Sequence, residues 1–229
     1  MDAAINYLLR DSSALKGTID RNRAGMNEGG FLETTYTSFT SCIENLTNKE
    51  TVQETAVKEA ADKTAAQNEI VSRIQKQISE VKFAAKSAYG KDKRNLNLFK
   101  IGEAVPKSVK ALIPLCNYMI EQVNERKADL LKNGLVQAKI DALIAAPAEL
   151  EAADAAQESA IIIRKSRTLE RDTAAKELKE IMFKIRSFAK VCFSGKPEIL
   201  GQFKPIPKGR NGTVEEEKPA ANTETTKPS

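Results

Sequence analysis

Histidine is absent from the 229 residues of this chain. Histidine is the side chain that most often serves as a general base near neutral pH, and it is the most common metal ligand. Its absence excludes a Ser-His-Asp triad and the Glu-x-x-His ligands of di-iron helical bundles. Acid–base chemistry by Glu, Asp or Lys stays open, but no motif indicates it. We therefore predict a protein that is not an enzyme and that holds no metal and no cofactor.

Tryptophan is also absent, and aromatic residues make up only 5% of the chain. A core must then consist mainly of Leu, Ile, Val and Ala, which favours close helix packing over large pockets. The hydrophobic fraction of 41% and the charged fraction of 29% are typical of a soluble helical protein. The composition predicts an all-α fold.

Cysteine is scarce, with only Cys42, Cys116 and Cys192. The three are far apart, and no Cys-x-x-Cys motif occurs, so neither a disulfide framework nor a zinc site is indicated. We expect them to be small buried apolar residues in a reducing compartment.

Long apolar runs are missing as well. No stretch approaches the roughly 18 consecutive apolar residues of a membrane-spanning helix. The segment Met1–Arg10 has an acid at its second position and a short apolar patch, which is unlike a signal peptide. We expect a cytoplasmic protein without a transmembrane segment.

The chain does contain an internal repeat. When the sequence is shifted by 104 residues, the two halves align without a gap, and apolar positions meet apolar positions over most of their length. Identical pairs include Leu8/Leu112, Gly30/Gly134, Leu46/Leu150, Gln53/Gln157, Thr64/Thr168, Ala85/Ala189 and Phe99/Phe203. We interpret this pattern as a duplicated module.

Each module is predicted to form a long αα-hairpin. The first helix carries apolar residues at alternating steps of three and four, as in bundles and coiled coils. Glycines near Gly30 and Gly134 are predicted to end or kink this helix, and a second helical segment follows. Elements without Gly or Pro then run over about 49–89 and 153–193. The first half of each is rich in Ala, which predicts a small-residue interface.

Three further local features complete the hairpin prediction. Pro147 is expected to end the second segment of module two early, and Pro114 to kink its first helix or delay its start. Phe99 and Phe203 each follow a Leu by three residues, which predicts a short helical flap that plugs the hairpin with the Phe.

The predicted architecture is an elongated antiparallel four-helix bundle made of two tandem hairpins. Residues 1–104 form the first module and residues 105–210 the second, and the two share one core. Residues 211–229 have few apolar side chains and are predicted to be disordered.

Lysines gather near the predicted helix ends, and the net charge is +5. Lysine near a helix C-terminus is favourable by itself, so these side chains need no ligand. They are nevertheless candidate contacts for an anionic partner, either nucleic acid or anionic lipid. The candidates are Lys86, Lys91, Lys100, Lys190, Lys196 and Lys204.

A second candidate surface is the aromatic side of module one, formed by Phe31, Tyr36 and Phe39. Module two has no aromatic residue at the equivalent positions. An aromatic surface present in one module alone suggests a specialised role, so we take these residues as a candidate interface for a partner protein.

Some motifs resemble those of a diffuse group of bacterial proteins built from long αα-hairpin modules that lack an assigned activity. The resemblance is clearest over 132–204. It is carried by Asn133-Gly134-Leu135, by Gln157-Glu158-Ser159-Ala160, by Gly195-Lys196-Pro197 and by the Leu200-x-x-Phe203 spacing. The resemblance implies a helical bundle and transfers no site residue.

The leading functional prediction is a non-enzymatic structural, scaffolding or protein-interaction module. Two alternatives stay open. One is a binder of an anionic surface that uses the Lys-rich helix ends, and its binding would weaken strongly with salt. The other is a self-assembling structural subunit, since the ends of repeats can stack on one another.

Overall fold

A computed structural model describes residues 2–207, so the predicted disordered segment 211–229 lies outside the described residues. Over these residues the chain forms helices and no strands, which confirms the all-α prediction. The helices are α1 (Ala3–Arg21), α2 (Arg23–Glu28), α3 (Glu33–Tyr89), α4 (Lys93–Leu98), α5 (Val109–Glu125), α6 (Lys127–Lys132), α7 (Gln137–Cys192) and α8 (Pro197–Gln202).

The helix bounds recur along the chain. The bounds of α2 become those of α6 when 104 is added to each number, and the same shift converts the bounds of α4 into those of α8. Helix α5 begins two residues after the position equivalent to the start of α1, but it runs through Pro114, so the proline does not set this start. The shared element pattern therefore follows the sequence offset.

The long helices α3 and α7 are longer than predicted. The second helical segment and the Ala-rich element are continuous in both copies, and the expectation that Pro147 ends a helix is wrong. Proline removes one backbone hydrogen bond. Because Ala146 and Leu150 on either side are buried, packing of the apolar stripe keeps the helix intact across that position.

The chain divides into two compact units, which do not follow the bounds predicted for the modules. Unit 1 comprises Glu44–Leu178, and unit 2 comprises Asp2–Ile43 with the described residues from Lys179 onward. The bounds differ because α3 and α7 each contribute residues to both units.

The core of unit 1 is built by α3, α5 and α7. Phe99, just after α4, is fully buried, and its ring stacks on Tyr89 with the centroids 6.0 Å apart. This confirms that the Phe of the flap is buried. The other fully buried core residues include Ile74, Ile78, Leu112, Met119, Leu130, Ile140, Leu143 and Leu150.

Outside this apolar core, α3 and α7 of unit 1 contact each other through small and polar side chains. Ala56 and Ala60 are buried, as the small-residue prediction required. The pairing is antiparallel, as shown by polar contacts that join low numbers in α3 to high numbers in α7. These are Lys49–Glu170 at 2.6 Å, Gln67–Asp154 at 2.6 Å and Gln157–Thr64 at 3.4 Å.

A buried ion pair also lies in this paired region. Glu50 is 1% exposed and Arg171 is 8% exposed, and Arg171 NH1 lies 3.6 Å from Glu50 Oε2. Arg171 also donates to Asp172 at 2.7 Å. Two charges removed from water are stable only as a pair, so each fixes the position of the other.

A buried carboxylate in unit 2 links α1 to α7 and to the segment after α8. Asp11 on α1 is 4% exposed, and its Oδ1 accepts from Arg186 NH2 on α7 at 2.8 Å and from the Ile206 N–H at 3.0 Å. The Tyr7 hydroxyl donates to the Ile206 carbonyl at 2.8 Å. The apolar interior includes Ile5, Leu8, Leu15, Ile19, Met26, Phe39, Met182, Ile185, Ala189, Phe193 and Phe203.

The cysteines differ in their surroundings. Cys116 is fully buried, and burial raises the pKa of its thiol to about 11, as expected for a core residue. Cys42 and Cys192 are only half-buried, so the expectation of burial holds for one cysteine of the three.

Candidate functional site

An exposed stripe of small and apolar side chains runs along α7 in unit 1. Its large members, Ile162 and Leu169, are 67% and 70% exposed and lie seven residues apart. We call this set the outward stripe. It consists of Ala155, Ser159, Ile162, Ser166, Leu169 and Thr173, all exposed and spaced by alternating steps of four and three. This spacing places the six side chains on one side of the helix.

The outward stripe is distinct from the side of α7 that contacts α3. Gln157, Glu170 and Arg171 make the contacts with α3, and these positions are half-buried or buried. Helix α7 therefore has two seams with coiled-coil spacing, one packed against α3 and one exposed to solvent. An exposed seam of this kind is the surface that a further helix recognises in helix-on-helix packing.

Charged residues flank the outward stripe in a repeating pattern. Glu158, Lys165 and Asp172 follow one another at intervals of seven, with alternating sign. On the other flank lies Ile163, which is 45% exposed. Flanking charges set the partner and its orientation in coiled coils. If the stripes of two copies of this chain packed antiparallel about their centres, Lys165 of one copy would lie near Lys165 of the other, and Glu158 would lie near Asp172. Both pairs have like charges and would repel each other.

Only one of the two copies carries this surface. The equivalent positions of α3 are more polar, and three of the six are charged. They are Thr51, Thr55, Lys58, Asp62, Ala65 and Glu69. Helix α3 has the same place in the architecture without this seam. The fold alone therefore does not explain the exposed apolar residues of α7.

The predicted aromatic interface lies in unit 2. Phe39 is fully buried, and the Phe31 ring packs against Phe188 with the centroids 5.4 Å apart. The Tyr36 hydroxyl donates to Asp20 Oδ1 at 2.6 Å, and this hydrogen bond raises the pKa of Tyr36. Phe39 has no exposed surface for a partner, so the predicted interface rests on Phe31 and Tyr36 alone.

The six candidate lysines do not form one site. Lys86, Lys91 and Lys100 belong to unit 1, whereas Lys190, Lys196 and Lys204 belong to unit 2 and are exposed. Two of the unit 1 lysines lie beside the half-buried Lys82. Lys100 lines one cavity with it, and Lys86 lines a neighbouring groove with it.

The prediction of one seam per helix does not include the outward stripe. Its spacing is visible in the sequence, but Ser159, Ser166 and Thr173 are typical of a solvated face. Burial decides between the two interpretations, because it shows which seam of α7 contacts α3.

Within residues 2–207, no helix combines the length and apolar character needed to cross a bilayer. The same residues place no group of three or more Cys, Asp or Glu side chains where they could hold a metal ion. No family model, curated protein or solved structure matches the chain.

Proposed function

We propose that this chain is a non-enzymatic scaffolding or interaction protein that binds an amphipathic helix of another protein along the outward stripe. The observation that carries the proposal is the exposure of Ile162 and Leu169 at heptad spacing, on the side of α7 away from α3. Burying two such side chains contributes about 1.5–3 kcal/mol each, and the rest of the seam and its flanking charges must offset the remaining cost of association.

The charges beside the stripe define the partner. A helix that complements Glu158, Lys165 and Asp172 carries basic, acidic and basic residues at intervals of seven, next to an apolar seam. The repulsion expected for an antiparallel second copy favours a different protein over self-association.

We further propose that the helix pairs α1–α3 and α5–α7 descend from one duplicated hairpin. Each unit then contains three of the long helices, because α1 lies in unit 2, α5 lies in unit 1, and α3 and α7 contribute to both. The recurrence of helix bounds at an offset of 104 supports the duplication. So does an equivalent contact in each unit: Tyr89 stacks on Phe99 at 6.0 Å, and Phe193 stacks on Phe203 at 5.9 Å.

The double variant Ile162→Glu/Leu169→Glu tests the stripe. Both side chains are exposed, so the free energy of unfolding is expected to change by less than about 1 kcal/mol. Two buried carboxylates at the seam are expected to weaken binding of the partner helix by at least about a hundredfold. The measurement is quantitative mass spectrometry of proteins that co-purify with each tagged variant from the native cell.

The matched control is Thr55→Glu/Ala65→Glu, which adds the same charge at the equivalent exposed face of α3. A protein retained by the wild type and the control, and lost with the stripe variant, supports the proposal. Retention of all partners by the stripe variant contradicts it. Light scattering over a concentration series gives a second check, because loss of self-association in the stripe variant alone would identify a second copy as the occupant.

A further inference from the structure

We infer that Lys82 and Lys100 of unit 1 form a binding site for a phosphate group. Both lysines line a cavity of about 290 Å³ beside Tyr118, at the start of α5. Lys82 Nζ donates one hydrogen bond to the Glu103 carbonyl at 2.9 Å, so two of its N–H bonds remain for a ligand. Lys100 Nζ lies 5.1 Å from the centre of the Tyr118 ring. This site is separate from the outward stripe.

The backbone at Lys100 supports a role in binding. Lys100 has φ +49°, and it is the one residue other than glycine with positive φ among residues 2–207. The equivalent Lys204 does not share this conformation. A lysine is disfavoured in the left-handed region, and such strained residues concentrate at ligand sites. The turn aims the side chain of Lys100 over Tyr118, in the same cavity as Lys82.

Comparison of the two copies shows what the site is missing. The counterpart of Lys82 in unit 2 is Arg186, whose charge is balanced by the buried carboxylate of Asp11 at 2.8 Å. The counterpart of Asp11 in unit 1 is Leu115, which lines the cavity. Unit 2 thus pairs its cation with a buried carboxylate at hydrogen-bond distance. In unit 1 the equivalent position is apolar, and the acid near Lys82 is Glu103.

The electrostatics of the cavity favour an anionic ligand. Burial lowers the pKa of Lys82, the charge of Lys100 lowers it further, and the Glu103 carboxylate opposes both effects. Two like charges in a partly buried cavity are stabilised by a dianion that contacts both. Glu103 is the acid that lines the site, and its charge reduces the attraction for any anion.

The cavity is large enough for the proposed ligand. A volume of about 290 Å³ admits a phosphate or pyrophosphate group, and because the cavity is open on one side, an attached organic part can extend into solvent. The phosphate can therefore come from a small soluble ester or from a phospholipid headgroup. Binding of inorganic phosphate, of pyrophosphate and of vesicles with and without a phosphoinositide distinguishes these sources.

The decisive variant is Lys100→Gly. Glycine removes the ammonium group and also accepts positive φ without strain. We expect Lys100→Gly to raise the melting temperature while weakening pyrophosphate binding by about tenfold or more in isothermal titration calorimetry. Lys204→Gly is the matched control, and its pyrophosphate affinity is expected to equal that of the wild type.

A second variant, Leu115→Asp, installs the carboxylate that unit 2 already has, and is expected to abolish pyrophosphate binding. If Leu115→Asp fails to fold, the pyrophosphate affinities of Lys100→Gly and Lys82→Gln still test the inference. The inference is overturned if wild-type protein binds none of the probes, or if Lys204→Gly loses as much affinity as Lys100→Gly. It is also overturned if sulfate and chloride at equal ionic strength displace pyrophosphate equally well, since that result indicates general charge attraction.

Discussion

Replacing Arg171 with Met is expected to lower the free energy of unfolding by about 3–5 kcal/mol. Arg171 is 8% exposed and lies 3.6 Å from Glu50, which is 1% exposed. Met fills much of the volume but leaves the carboxylate of Glu50 buried without the charge of Arg171 beside it. Urea denaturation followed by circular dichroism measures the change.

The control for this variant lies one turn away on the same helix. Arg167 pairs with Glu170 at 2.9 Å, but its side chain is 42% exposed. Arg167→Met is therefore expected to cost less than about 1 kcal/mol. Glu50→Leu/Arg171→Met removes both charges and is expected to recover most of the lost stability. Equal losses for the two Arg variants would show that burial of the Glu50–Arg171 pair has no special effect.

Introducing a single methyl group at Gly29 is expected to destabilise the protein by about 1–3 kcal/mol. A Cβ at this position would lie 2.5 Å from Cys192 Sγ and 3.3 Å from the Met26 carbonyl oxygen. Gly29 has φ −76°, which alanine adopts readily, so the effect comes from crowding and not from backbone strain. Rotation of Cys192 would move Sγ away from the new methyl group but would leave the Cys192 Cβ 3.3 Å from it, so the crowding is only partly relieved.

The second copy shows how the clash is relieved. At the equivalent positions, unit 1 has Asn133 and Ala88, so a larger residue at the helix end is accompanied by a smaller one opposite. Gly29→Ala in a Cys192→Ala background is therefore expected to be nearly neutral, with a coupling energy of about 1–2 kcal/mol.

Gly195→Ala is the control, since a Cβ there meets nothing within 4 Å. Thermal unfolding of the four members of the Gly29/Cys192 cycle measures the coupling. Additive effects of the two substitutions would contradict the crowding mechanism.

Local features were the most predictable part of the fold. The 3–4 spacing of Ile5, Leu8, Ser12 and Leu15 identified the buried side of α1, and the same spacing of Leu112, Cys116 and Met119 identified that of α5. The glycines near Gly30 marked the helix break. These features depend on short-range periodicity and turn chemistry, which a single sequence contains.

Features set by packing were not predictable. Pro147 lies inside α7 because buried neighbours outweigh one lost hydrogen bond, and Phe39 lies inside unit 2 because its helix face turns inward. The outward stripe was not predictable either, because it has the spacing of a seam but the composition of a solvated face. In each case the outcome depends on which other helix covers that face, and the local sequence contains no direct record of it.

The outward stripe is the proposed surface for a partner helix. Photocrosslinking in the native cell, with benzoylphenylalanine placed at Ser166 or at Asp62, tests this directly, because the two positions are equivalent and both exposed. The proposed function predicts a discrete crosslinked protein from position 166, joined through an amphipathic helix, and none from position 62. Equal, diffuse crosslinking from both positions, or none from position 166, would contradict it.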